Sequence, residues 1–376
     1  MNMPTVSFVV PCYKLAHFLP ECVNSILSQS YADLEVLVMD DCSPDNTEEV
    51  ARSFSDPRVK YVRNEVNLGA LANYNKGISL SRGKYVWLIS ADDYLRSESV
   101  LKRYVDILES HPRVGYAFCP GVGVKDGRET GTLEFSQYGT EDRIVSGHTF
   151  LESILAICFV LAPSALVRKE CYEKVSMFPT NVELHGTRID FIWGGDWYLW
   201  CAFALYFDVA YFVEPMVCYR EHGFSSTDLV TRQNMDNCVL ADIAVPWMVK
   251  RRAEEEGIKE VFHTCLGAVA DEYSRHLVGR EYRSGTWAIS LEQFERSLCQ
   301  YTQSDRERVW IRARTFAAVA DRYYFQGDHI QARKFYWASL KQDPLMSRVY
   351  AKLMLLSLGR SGETLRLRLK RMLQSL

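Results

Sequence analysis

The sequence predicts an α/β fold, a mostly parallel sheet with helices on both faces, followed by an all-α region. Three observations point to it. Through the first 120 residues, β-rich runs alternate with stretches of helical apolar spacing, the pattern of parallel strands joined by crossover helices. Successive strand runs stop on acids or amides. After about Thr231 strand signals disappear and helical spacing remains.

The first strand is Val6-Ser7-Phe8-Val9-Val10, ending at Pro11. A helix from Phe18 to Gln29 places Leu19, Cys22, Val23, Ile26 and Leu27 on one face. Leu34 to Met39 is the second strand and stops on Asp40-Asp41, after which Asp45, Asn46 and Thr47 offer caps for a short helix through Phe54. Val59 to Val62 is a third strand, Ala70 to Leu80 a helix closed by Gly83, and Tyr85 to Ile89 a fourth strand that stops on Ser90-Ala91-Asp92-Asp93. Ser97 and Glu98 open an amphipathic helix through Leu108, and Gly115 to Cys119 is a fifth strand. The stretch from Gly121 to Thr140 is Gly-rich and polar, which predicts irregular strands and a mobile loop. Helix is expected over 149–157 and from Trp197 to Tyr206, with short strands at Ala165-Leu166-Val167, Val209 to Phe212 and Met216 to Tyr219.

These elements imply one domain over 1–230 and a helical one over 231–376. Within the latter, residues 313–346 carry Phe316, Val319, Ala320, Tyr323, Gly327, Ala332, Tyr336 and Pro344 at the spacing of a tetratricopeptide repeat. An ordinary helical hairpin gives the same pattern, and either could bind a protein partner or a second copy. The terminal Leu365-Arg366-Leu367-Arg368-Leu369-Lys370-Arg371 is basic and apolar, suited to an anionic membrane surface or to a solvated helix face.

Composition narrows the class. The chain is 48% apolar and 24% charged, as expected of a globular protein with a sizeable core, and its net charge of −3 leaves no electrostatic footprint for nucleic acid. Eleven irregularly spaced cysteines without a CxxC pair predict reduced thiols. Met1 to Thr5 leads directly into a strand, unlike a signal peptide. The longest apolar run, Ile154 to Leu161, meets Pro163 and falls short of the ~20 residues of a membrane span. A cytoplasmic protein, at most peripheral at the inner membrane face, is expected.

The acids carry the chemistry. Asp40-Asp41, Asn64 with Asn67, and Asp92-Asp93 follow three successive strands and so converge on the carboxyl edge, where open α/β sheets bind ligands. Helix capping explains one such cluster more easily than three in succession. Two adjacent carboxylates repel and call for a cation. A hard divalent ion bridging to phosphate fits that demand. Gly195-Asp196 before an aromatic helical run is a further acid, readable alone as an N-cap.

Several segments together resemble the family 2 glycosyltransferases of the GT-A fold. They are Ser7-Phe8-Val9-Val10-Pro11-Cys12-Tyr13, Ser25-Ile26-Leu27-Ser28-Gln29-Ser30-Tyr31, Val38-Met39-Asp40-Asp41-Cys42-Ser43, Asn67-Leu68-Gly69 with Asn75-Lys76-Gly77, and Ser90-Ala91-Asp92-Asp93. The resemblance covers roughly the first 225 residues, taken as one large α/β unit. It implies a Mg²⁺ or Mn²⁺ ion held by Asp93, with Asp92 and His222 as further ligands. It assigns Pro11, Tyr13, Asp41, Asn67, Asn75, Asp92 and Arg220 to the donor nucleotide, with Asp41 accepting from the imide of a uracil-type base and Tyr13 lying along it. Asp196 takes the place of the catalytic base of an inverting transfer. Ser90 stands where many relatives carry another aspartate, one charge fewer.

The activity so implied is transfer of one sugar from a nucleotide-sugar, UDP-linked by the resemblance, to a glycan or lipid-linked hydroxyl in polysaccharide or glycoconjugate synthesis. The QxxRW motif and membrane helices of processive synthases are not found. Acceptor contacts are expected between Gly121 and Asp196, with His185, Trp193 and Trp197 as candidates, and Ser225-Ser226 suggests a closing loop. A nucleotidyltransferase would use the same acids, but Pro11-Cys12-Tyr13-Lys14 is not a triphosphate-cradling loop. A degenerate scaffold acting through its helical region would have little use for the retained acids.

Overall fold

The computed structural model describes residues 3–184, 186–222, 235–278 and 289–357. His185, Ser225-Ser226 and the basic segment 365–371 lie outside the described residues. The chain divides into two compact units, the first built from 1–182, 188–241 and 251–261, the second from 183–187, 242–250 and 262–376.

The first unit starts with strands β1 (Val6–Cys12), β2 (Leu34–Asp40), β3 (Val59–Arg63), β4 (Tyr85–Leu88) and β5 (Tyr94–Leu95), interleaved with helices α1 (Leu19–Leu27), α2 (Thr47–Arg52), α3 (Ala70–Leu80) and α4 (Val100–Ser110). It continues through β6 (Val114–Phe118), β7 (Gly121–Lys125), β8 (Arg128–Thr132), β9 (Arg143–Val145), α5 (Gly147–Ile154), β10 (Leu166–Arg168) and α6 (Lys169–Val175). After the pair β11 (Asn181–Leu184) and β12 (Thr187–Asp190) come α7 (Gly195–Ala204), β13 (Asp208–Tyr211) and β14 (Val217–Arg220).

An eight-stranded sheet runs in the order β3-β2-β1-β4-β10-β6-β13-β9. Its first four strands are parallel, as the alternation requires. Beyond β4 the sheet is mixed, because β10 inserts antiparallel between β4 and β6 and β9 closes antiparallel on β13. The stretch after Gly121 is more regular than expected. β7 and β8 form a hairpin turning at Asp126 and Gly127, and β14 joins β7 in a second sheet of order β5-β14-β7-β8.

The core is aromatic. Phe8 stacks on Trp87 at 5.4 Å, and Trp87 leads through Tyr104 to Phe212. Gly77 sets how closely α3 rides on this sheet, because a Cβ there would lie 2.4 Å from Val9 Cγ1. Arg168 is buried with its guanidinium donating to the carbonyls of Val114, Leu108 and His111 and to the hydroxyl of Tyr85. Arg168→Met would leave those buried carbonyls unsatisfied and is expected to cost about 3 kcal/mol in this unit. Chemical unfolding followed by tryptophan fluorescence checks this.

All described elements after Met235 are helical: Met235–Glu255, Phe262–Leu277, Leu291–Tyr301, Asp305–Phe325, His329–Gln342 and Ser347–Ser357, with one short 3-10 turn at Lys259–Val261. In the second unit, helices Asp305–Phe325 and His329–Gln342 turn at Gly327 and close over Ala317, Ala320, Ala332, Tyr336 and Leu340. No helix among the described residues is long and apolar enough to cross a membrane.

Candidate active site

The carboxyl ends of β1, β2 and β4 lie side by side at one edge of the sheet. Lys14 and Cys42, each just beyond a strand end, adopt left-handed backbone (φ +60° for both), unusual for residues with a side chain. Hydrogen bonds lock the two turns together, from Asp41 N–H to Cys12 O at 3.0 Å and from Lys14 N–H to Ser43 Oγ at 3.2 Å. Pro11 is buried within β1, and its carbonyl accepts from Ala91 N–H at 3.1 Å, so it sets the backbone leading to the acids. Tyr13 leaves the strand with its ring 41% exposed, free to lie against a flat ligand.

Asp40 and Asp41 part company. Asp40 is fully buried and neutralised by Arg63 at 2.7 Å and the Tyr61 hydroxyl at 2.6 Å, so it belongs to the scaffold. Asp41 is buried too, but it pairs with amides rather than with a cation. Its Oδ1 accepts from Asn64 Nδ2 and Leu68 N–H, both at 2.8 Å, and its Oδ2 from Gly69 N–H at 3.0 Å, which leaves acceptor capacity on Oδ2. Asn67 shapes this turn by donating to the Asp41 carbonyl, and Gly69 completes it at φ +82°. Asn64 is itself oriented by Asn73 and Lys76.

Asp93 is buried, with Oδ1 accepting Arg220 N–H at 2.9 Å. Burial, reinforced by the charge of Asp92, pushes its carboxyl well above the usual carboxylate range, against the pull of Arg220. Asp92 Oδ2 meets His222 Nε2 at 2.9 Å. Asp92 Oδ1 is buried and takes no hydrogen bond from the described residues. Two carboxylates of which one is proton-hungry and the other holds an orphaned oxygen, beside an imidazole, fit a divalent cation. Ser90 contributes through its carbonyl, which accepts Asp93 N–H at 3.0 Å.

Arg220 is a brace. Its guanidinium lies over Phe18 at 4.5 Å and Tyr94 at 5.4 Å, donates to the Asp92 carbonyl at 2.9 Å and pairs with Glu21. These contacts fix the acidic turn. Asn75 is tied to the backbone as well. Its amide exchanges two 2.9 Å hydrogen bonds with the backbone of Phe178, tethering α3 to the chain after α6.

Asp196 lies in the first turn of α7, half-buried, while Gly194 holds the N-cap position. Burial raises its carboxyl, the N–H of Trp197 and its own N–H pull it back, and it settles at about 6. Helix α3 abuts this turn, with Leu71 3.3 Å from where a Cβ on Gly195 would stand. Of the acceptor candidates, Trp197 is committed to the core through Ile154 O at 2.7 Å, and Trp193 is half-buried.

The residue that sequence reasoning missed is Tyr74. Burial and then the charges of Asp92, Asp196, Asp93 and Asp41 push its phenol strongly upward, so it stands within electrostatic reach of all four acids. Its position on α3, one residue before Asn75 and three before Gly77, was the available signal.

Residues 7–175 match glycosyl transferase family 2. Glycosyltransferase GlyG of Streptococcus pneumoniae is 35% identical over 106 residues, which is 28% of this chain and 35% of that protein. An uncharacterised glycosyltransferase of Rickettsia typhi is 26% identical over 61% of this chain and 68% of its own length. The match thus spans about a third of the first relative and two thirds of the second. Among solved structures, Staphylococcus aureus TarS 1-349 with UDP-GlcNAc superposes with a TM-score of 0.57 at 16% identity, over 88% of this chain and 90% of that one, which is likeness of fold. On its strand–helix order and its sequence match, the segment 7–175 is similar to glycosyl transferase family 2, and the fold is of the GT-A type.

Proposed function

We propose that this chain transfers a single sugar from a nucleotide-sugar to an acceptor hydroxyl, with inversion at the anomeric carbon. The observation that carries this reading is the pair Asp92-Asp93 just past β4, with the buried Asp92 Oδ1 lacking a hydrogen bond from the described residues, beside Asp41 just past β2 at the carboxyl edge of the sheet. Asp41, through its spare Oδ2, accepts from the base, and Tyr13 covers the base's face. Asp93 and Asp92, backed by His222, would hold Mg²⁺ or Mn²⁺. When bound, the ion supplies Lewis-acid neutralisation of the diphosphate leaving group. Asp196 takes the acceptor hydroxyl's proton as that oxygen bonds to the anomeric carbon, and the electron pair of the breaking carbon–oxygen bond leaves with the diphosphate.

TarS, of the same fold, holds UDP-GlcNAc, which makes UDP-sugars the first donors to test. A thermal-shift screen of nucleotide-sugars with and without Mn²⁺, followed by assay of nucleoside diphosphate release, tests the reading. A cation-dependent shift with one donor is expected. No shift with any donor, with or without the ion, contradicts it.

The two amide and acid assignments separate in the same assay. Asp41→Ala removes a charge-assisted acceptor and is expected to raise donor KM about tenfold or more. Asn75→Ala, which cuts only the tether to Phe178, is expected to lower the melting midpoint and leave donor KM near wild type.

A further inference from the structure

A second cluster of ligating side chains lies in the helical unit, away from the acids of the sheet edge in sequence and in unit. Asp242, on the helix Met235–Glu255, meets Glu272 and His276, four residues apart on the helix Phe262–Leu277. One ligating atom from each lies within 4.8 Å of the others. Glu272 is 1% exposed and His276 is 9% exposed. His276 Nε2 is buried and has no hydrogen-bond partner among the described residues. It stands 3.6 Å from Asp242 Oδ2 and 3.7 Å from Glu272 Oε2.

Those two distances decide between readings. An N–H···O hydrogen bond closes to about 2.7–3.2 Å, so the imidazole is bonded to neither carboxylate. It is nearly equidistant from both. Ligands at about 2.1 Å from a tetrahedral ion stand roughly 3.4 Å apart, which is close to this spacing. A simple ion pair would draw the ring onto one partner and leave the other. Arg275 Nη1 lies 3.0 Å from Glu272 Oε1 and donates to Oε2 at 3.1 Å, and Arg322, bonded to Ser274 Oγ at 3.0 Å, adds charge nearby. Such partners hold the carboxylate in place, as is usual for metal-ligating acids.

We infer that Asp242, Glu272 and His276 form a binding site for a divalent ion of the zinc class that cross-links the two helices. One imidazole with two carboxylates suits Zn²⁺ better than Mg²⁺, which prefers oxygen and keeps its waters. Three protein ligands leave a fourth position for water. The ion acts as a staple inside the helical unit.

The test uses the full chain with Asp92→Asn and Asp93→Asn, so that the sheet-edge acids cannot contribute. The protein is stripped with chelator, exposed to Zn²⁺, desalted and assayed for metal. One retained equivalent is expected, with a higher melting midpoint that Mg²⁺ does not reproduce. Adding His276→Ala abolishes both. No retained equivalent in the parent, or an unchanged equivalent in a folded His276→Ala protein, overturns the site. If His276→Ala fails to fold, Asp242→Asn, at the most exposed of the three ligands, replaces it. Zn²⁺ affinity is then expected to fall at least tenfold, and an unchanged affinity overturns the site.

Discussion

Asp196→Asn is expected to lower kcat by about 10² to 10⁴-fold, the usual contribution of a positioned base, while the donor still binds. The amide keeps the side chain's shape and the hydrogen bond from Trp197 N–H, but it cannot take a proton. The wild-type rate is expected to rise with pH through about 6 and level off above it, because only the ionised carboxylate is a base. The asparagine protein loses that acid limb. The sign for stability is opposite. An acid raised from its ordinary 3.8 to about 6 binds its proton more tightly when folded. Its ionised form is therefore a burden on the fold above pH 6, and the fold gains as pH falls from 6 towards 3.8. Asp196→Asn should accordingly leave the melting midpoint at neutral pH unchanged or higher, so lost activity cannot be attributed to unfolding. Rapid-quench kinetics over pH, alongside a melting curve, measures both.

Asp93→Asn is expected to abolish the response to Mn²⁺ and lower kcat/KM by about 10³-fold, several kcal/mol of lost charge neutralisation. The substitution keeps an oxygen for Arg220 N–H and removes a carboxyl that burial already disfavours as an anion. The fold should therefore survive it. Asp92→Asn is expected to do less, because His222 remains at that side of the site. A metal titration of activity for the three proteins ranks them.

Much of this could be read in the amino-acid order, for local reasons. The parallel half of the sheet follows from period-2 and helical spacing, and the strand-end acids follow from where those runs stop. Asp41, Asp92 and Asp93 follow β2 and β4 as that pattern requires, whereas Asp196 lies in the first turn of α7. What could not be read depends on contacts distant in sequence. β10 enters between β4 and β6 from about fifty residues away from β6, and no local spacing announces it. Arg220 and Asn75 carry the polar groups expected of ligands, yet their partners, Glu21 and Phe178, lie 199 and 103 residues off and draw them into the scaffold. Tyr74 has the spacing of an ordinary helix residue, and the acids that act on it are distant in sequence. Asp242, Glu272 and His276 sit in helical stretches that carry other acids and bases, so only the packing picks them out.

Nucleoside diphosphate binding, measured by calorimetry with and without Mn²⁺ on wild type and Asp93→Asn, tests most directly whether the acids at the sheet edge form a cation-dependent donor site. The expected result is that one of the common nucleoside diphosphates binds wild type with Mn²⁺, far more weakly without it, and equally weakly to Asp93→Asn under both conditions. Binding that is the same with and without the ion, or that Asp93→Asn retains in full, would contradict it.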